Sequence, residues 1–135
     1  MKTKEKILRI EEATFKIKEN DWHTFIGYQV ITDQQTIKVG ISNNRLCCEN
    51  FGYLITNDDT EDFIGADLIN ISIVDTALNN KKLEQIEYLD YGSAMFVNFE
   101  TSNGLLQLVV YNSHNGYYGH ETVLISKQLN HEGGL

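Results

Sequence analysis

The chain contains no proline, only two arginines and two cysteines, and no apolar run near the ~20 residues a membrane-spanning helix requires. Without proline there is no proline-rich linker, and no composition shift divides the 135 residues, so residues 1–135 read as one domain. Arg9 and Arg45 are the only guanidinium groups, too few for the bidentate phosphate recognition on which nucleotide capture usually relies. Cys47 and Cys48 are adjacent, and neighbours cannot close an ordinary disulfide without severe strain. Both are expected as free thiols, in keeping with a reducing compartment. Lys2, Lys4 and Lys6 lead into Glu11 and Glu12 and not into an apolar segment, so no signal peptide is read and a cytoplasmic protein is expected. No glycine-rich turn from strand to helix is present, which counts against a dinucleotide-binding or P-loop fold. Positive charge is also scarce. Eleven basic against nineteen acidic side chains give a formal net charge of −8, which argues against direct binding to nucleic acid and suits a basic protein partner.

What the chain does have is alternation. Ile37, Val39 and Ile41 alternate with Thr36, Lys38 and Gly40, and Ile69, Ile71 and Ile73 with Asn70 and Ser72. Met95, Val97 and Phe99 repeat the pattern, as do Leu106, Leu108 and Val110 and then Val123 and Ile125. A period of two marks strands with one buried and one wet face, and these fourteen residues are the expected core. Asp33-Gln34-Gln35, Ser42-Asn43-Asn44 and Ser102-Asn103-Gly104 supply turns. The N-terminal stretch differs: Ile7, Leu8 and Ile10 fall on one side at helical spacing, so residues 1–13 read as a short amphipathic helix. Its lysines lie at the start and its glutamates at the end, opposite to what the helix dipole favours. Residues 22–127 form the β-rich core, and residues 130–135, with Gly133-Gly134, read as a flexible tail. The expected fold is α+β but mostly β: a single antiparallel sheet of about seven strands with one or two short helices.

Two stretches carry candidate binding residues. Between two apolar runs, Tyr111, His114, Asn115, Tyr117, Tyr118 and His120 crowd a hairpin tip whose Asn115-Gly116 tolerates positive φ. His114 and His120 flank the tip closely enough to converge on a metal or phosphate, but a zinc site needs a third ligand that no recognisable spacing provides. Hydrogen bonding within the turn is the favoured reading, and no metal or cofactor is expected. Asp58, Asp59, Glu61 and Asp62 form an acidic patch. Its spacing departs from the calcium-loop pattern, and acidic residues there suit the first turn of a short helix. No catalytic residue is assigned.

Cys47-Cys48-Glu49-Asn50-Phe51-Gly52-Tyr53 and the segment Tyr111 to His120 together carry a resemblance. The chain resembles, over most of residues 22–127, a family of small domains of unknown function found largely in phages, prophages and mobile elements. The resemblance implies an accessory protein acting in the cytoplasm of a bacterial host. The expectation is a non-enzymatic binder that inhibits a bacterial defence system, for example an anti-CRISPR-type blocker, with a host defence protein or its ligand as partner and a homo-oligomer as one form. The alternatives are sequestration of a nucleotide defence signal and a small hydrolase of a phosphorylated ligand using His114 and His120. Membrane association is not expected.

Overall fold

The computed structural model describes residues 4–17, 24–43, 51–57, 59–74, 93–112 and 121–135. Nine strands are assigned: β1 (Glu5–Phe15), β2 (Phe25–Thr32), β3 (Thr36–Ser42), β4 (Phe51–Ile55), β5 (Asp67–Val74), β6 (Ser93–Thr101), β7 (Gly104–Asn112), β8 (Glu121–Ile125) and β9 (His131–Gly134). They hydrogen-bond in the order β4-β7-β6-β5-β1-β2-β3-β8-β9, every pair antiparallel. The sheet folds over at β1, so that β4 and β7 pack against β2 and β3. One core fills the fold, drawing Tyr28, Val30, Ile37, Val39, Ile41 and Leu124 from one half and Leu68, Ile71, Val97, Phe99, Leu106 and Leu108 from the other.

Among the described residues nine strands stand where seven were expected, and the two extra ones are the terminal elements. Residues 5–15 are a strand and not part of a helix. The reason is a β-bulge between Ile7 and Arg9. A bulge inserts one unpaired residue and shifts the inward–outward parity, so Ile7 and Ile10 both face the core although they are three apart. That spacing imitates a helical stripe. Residues 131–134 are likewise a strand, β9, paired with β8 from Glu121 opposite Gly134 to Leu124 opposite His131. Its pairing is through the backbone, so it needs no apolar alternation. Leu135 packs against the core and its carbonyl accepts a hydrogen bond from Asn112 Nδ2 at 3.1 Å.

Eleven of the fourteen expected core residues join the main core or pack against it, and three do not. Ile69 is 67% exposed, because β5 carries its own bulge between Leu68 and Asn70. On β8 the inward residue is Leu124, while Val123 and Ile125 face the outer side of the sheet. There they join Phe15, Phe25 and Ala13 in a second apolar cluster, in which the Phe15 and Phe25 rings stack 5.8 Å apart. Gly40 makes room for it: a Cβ there would stand 2.7 Å from Phe15 Cζ. The expected turn at Ser102-Asn103-Gly104 joins β6 to β7 as a tight hairpin, with Gly104 at φ +119° and Thr101 Oγ1 donating to the Gly104 carbonyl. The acidic patch leads into a 3-10 turn, Glu61–Phe63, whose Phe63 plugs the core.

Candidate binding surface

The inner face of the sheet is apolar except at one end. β1 stays with β5 only until Ile7, whose N–H and C=O bond Ala66 and Gly65, and then continues alongside β2 alone. From Ile10 onward the inner-facing positions of β1 are Ile10, Glu12 and Thr14, opposite Val30, Tyr28 and Ile26 of β2. Glu12 and Thr14 are exposed, so the fold is open there. Tyr53 of β4 reaches the same opening and meets the buried Tyr28 ring edge-on, with centroids 5.0 Å apart and planes at 84°. This is a favoured aromatic geometry. The Glu12 carboxylate lies near enough to the Tyr53 phenol to act on it electrostatically.

These surroundings shift the phenols upward. Burial pushes the Tyr28 phenol far above its usual range, and the negative charge of Glu12 pushes it further, with smaller contributions from Tyr53 and Tyr111. Tyr53 is raised by desolvation first and then by the nearby Glu12. Desolvation raises Tyr111 as well. All three are neutral hydrogen-bond donors at physiological pH. Phenol faces beside a carboxylate suit a cationic side chain: the ring attracts the cation through its quadrupole and the carboxylate pairs with it.

The sequence profile of a domain of unknown function, DUF7448, matches residues 3–124. The chain belongs to the DUF7448 family. No match is found among curated proteins or among solved structures. The matched span runs from the start of β1 into β8, so the strand that bears Glu12 lies within the DUF7448 domain.

Of the residues singled out from the DUF7448 sequence, Tyr111 is placed at this end of the fold. It lies on β7 opposite Gly52 of β4, and its hydroxyl sits 2.9 Å from where a Cβ on Gly52 would be, so the glycine leaves room for the ring. β7 ends at Asn112, one residue beyond Tyr111. His114, Asn115, Tyr117, Tyr118 and His120 lie outside the described residues, as does Asp58. Asp59, Glu61 and Asp62 are exposed on the segment entering the 3-10 turn. Asp59 Oδ1 accepts the Glu61 N–H at 2.9 Å, the ordinary work of an acidic residue before a helical turn. Among the described residues no three His, Cys, Asp or Glu side chains gather as a metal site. No helix among them is long and apolar enough to cross a membrane.

Glu12, Tyr28 and Tyr53 are brought together from three strands. Tyr53 is legible in the sequence as an aromatic beside the cysteine pair. Glu12 is not, because a helical reading places it on a solvated face. The signal that could have found it is the order of charges in residues 2–12, which opposes a helix dipole and therefore favours a strand.

Proposed function

We propose that this DUF7448 domain is a non-enzymatic binding protein that blocks a protein of a bacterial defence system, with Tyr53, Tyr111 and Glu12 at the centre of its contact surface and the buried Tyr28 ring behind them. The observation that supports it is the edge-on meeting of the Tyr28 and Tyr53 rings, 5.0 Å apart, at the open end of the fold, where the exposed Glu12 stands opposite Tyr28. Tyrosine supplies a large, rigid, amphipathic contact at low entropic cost and concentrates interface energy. A carboxylate beside it selects a lysine or arginine, and the net charge of −8 steers the whole molecule toward a basic surface. Effector proteins that hold nucleic acid present such surfaces, and covering one requires no chemistry. The resemblance read in the sequence, to domains of phages and mobile elements, is the reason for proposing a bacterial host as the setting.

The test is co-expression in a strain whose CRISPR effector restricts a phage. Wild-type protein should restore plaque formation and co-purify with the effector. Tyr53→Ala and Glu12→Lys should retain the circular dichroism spectrum while affinity falls roughly 30-fold or more, the scale of an interface hot spot. Absence of rescue across a panel of CRISPR and other defence systems would overturn the proposal, as would full activity in both variants.

A further inference from the structure

At the other end of β1 from Glu12, the start of that strand meets the β2–β3 turn, the start of β5 and the segment that follows β8. A cavity of about 390 Å³ lies among them, within the range of small-molecule sites. Glu5 is on its wall. Two positions before the core residue Ile7, with no bulge between them, it shares the inward parity of the strand. Its carboxylate is held by one oxygen: Oε2 accepts Thr32 Oγ1 at 2.5 Å and Gln35 Nε2 at 2.8 Å. Gln35 is itself pinned, since its Nε2 also donates to Gln128 Oε1 and its Oε1 accepts the Lys127 N–H, each at 2.8 Å. Glu5 is thus oriented before any ligand arrives, and among the described residues its Oε1 accepts no hydrogen bond.

The wall also carries a cation that Glu5 does not neutralise. Lys127 lines the cavity, and among the described residues its ammonium makes no ion pair. Asn70 brings a carboxamide and Gln128 an Nε2, neither hydrogen-bonded among the described residues. Leu68 and Ile69 add aliphatic surface. What the wall lacks narrows the ligand. Among the described lining residues there is no aromatic ring to stack on a base or on the face of a sugar. No arginine is there to grip a phosphate, and a single carboxylate without histidine or cysteine does not hold a metal ion. A fixed carboxylate and an unpaired ammonium beside aliphatic surface complement a small zwitterion with an apolar side chain.

We propose that this cavity binds a free aliphatic α-amino acid. The ligand's ammonium donates to Glu5 Oε1, its carboxylate pairs with Lys127 Nζ and accepts from Gln128 Nε2 and the Asn70 amide, and its side chain lies on Leu68 and Ile69. Because Glu5 is already held, the charge-assisted hydrogen bond to it forms at low entropic cost. Seven positions along β1 separate Glu5 from Glu12, roughly 23 Å at the rise of an extended strand, so this site is separate from the tyrosine surface.

The test is NMR titration of the ¹⁵N-labelled full chain with L-leucine, L-isoleucine and L-valine. Leucinamide, which lacks the carboxylate, and N-acetyl-leucine, which lacks the ammonium, probe the two ends of the site. Leucine should move the side-chain amide signals of Gln35, Asn70 and Gln128 and bind about tenfold or more tightly than either derivative. Glu5→Gln keeps an oxygen for Thr32 and Gln35, and should weaken leucine and leucinamide about tenfold while leaving N-acetyl-leucine unchanged. Lys127→Ala, at an exposed side chain, should lower leucine to the level of leucinamide. Tyr53→Ala should alter none of these affinities. No shift with any of the three amino acids at about 10 mM would overturn the proposal. So would derivatives that bind as well as leucine, leucine binding indifferent to both Glu5→Gln and Lys127→Ala, or a preference for glucose, which would give the cavity to a carbohydrate.

Discussion

Replacing Gly40 by alanine should destabilise the protein, and removing the Phe15 ring should abolish most of that cost. A Cβ on Gly40 would lie 2.7 Å from Phe15 Cζ and 3.0 Å from Cε1, inside van der Waals contact. The ring cannot swing away freely, since it stacks on Phe25 at 5.8 Å and carries Lys38 Nζ 5.4 Å above its centroid. Overpacking of this kind costs ~1–3 kcal/mol. Against it stands ~0.5–1 kcal/mol that alanine gains over glycine within a strand. The net expectation is a loss of about 1–2 kcal/mol for Gly40→Ala. Phe15→Ala alone should cost about 3 kcal/mol, the lower end for a buried phenylalanine because the ring lies on the outer cluster. In the double variant the alanine methyl enters space the ring has left, so the second substitution should fall within about 0.5 kcal/mol of neutral and the pair should be non-additive by about 1–2 kcal/mol. Urea unfolding followed by circular dichroism gives all four stabilities. Additivity would refute the reasoning and put the cost of Gly40→Ala on the Ile26 carbonyl, 3.0 Å from the same position, instead of on Phe15.

Two further outcomes follow from the geometry. Because Tyr28, Tyr53 and Tyr111 are held protonated in the folded state, the native protein keeps protons that the unfolded chain loses above about pH 10, so stability should be flat below that pH and fall above it by up to ~1.4 kcal/mol per pH unit for each tyrosine. Absorbance titration of the phenolates beside alkaline unfolding checks this, and seven tyrosines titrating together at the ordinary value would contradict it. Deleting Leu8, which has no partner in the register between Ile7 opposite Thr32 and Arg9 opposite Ile31, should leave a folded protein, whereas inserting one residue after Ile10 should prevent folding by turning Glu12 through Phe15 to the opposite faces. Equal tolerance of both changes in thermal melts would rule out the bulged register.

The strands legible in the sequence are those whose parity is unbroken. Ile37, Val39 and Ile41, or Leu106, Leu108 and Val110, keep a period of two from end to end and all lie in the core. β9 gave no signal, because His-Glu-Gly-Gly has no apolar alternation and owes its place to backbone pairing with β8. β8 was legible as a strand but its faces were not. Thr122, Val123 and Leu124 are all buried, since both sides of the sheet are covered there, and alternation then carries no information about which side is the core.

The N-terminal strand shows how one local irregularity shapes both the reading and the site. An unbulged β1 with Ile7 facing the core would send Arg9, Glu11, Ala13 and Phe15 inward. The extra residue at Leu8 reverses that order, so Ile10, Glu12 and Thr14 take the inner face and Ala13 and Phe15 the outer one. The outer cluster with Phe25 and the carboxylate opposite Tyr28 are therefore consequences of a single bulge. Leu8 itself is left 44% exposed, and Ile69 67% exposed at the matching irregularity of β5, where Leu68 and Ile71 again reach the core three residues apart. Apolar residues at a spacing of three are thus compatible with a helix or with a strand that carries a bulge, and a large exposed aliphatic residue between them distinguishes the second. In β1 that distinction governs more than packing, because only the bulged register brings the negative charge of Glu12 to the phenols at the open end of the fold.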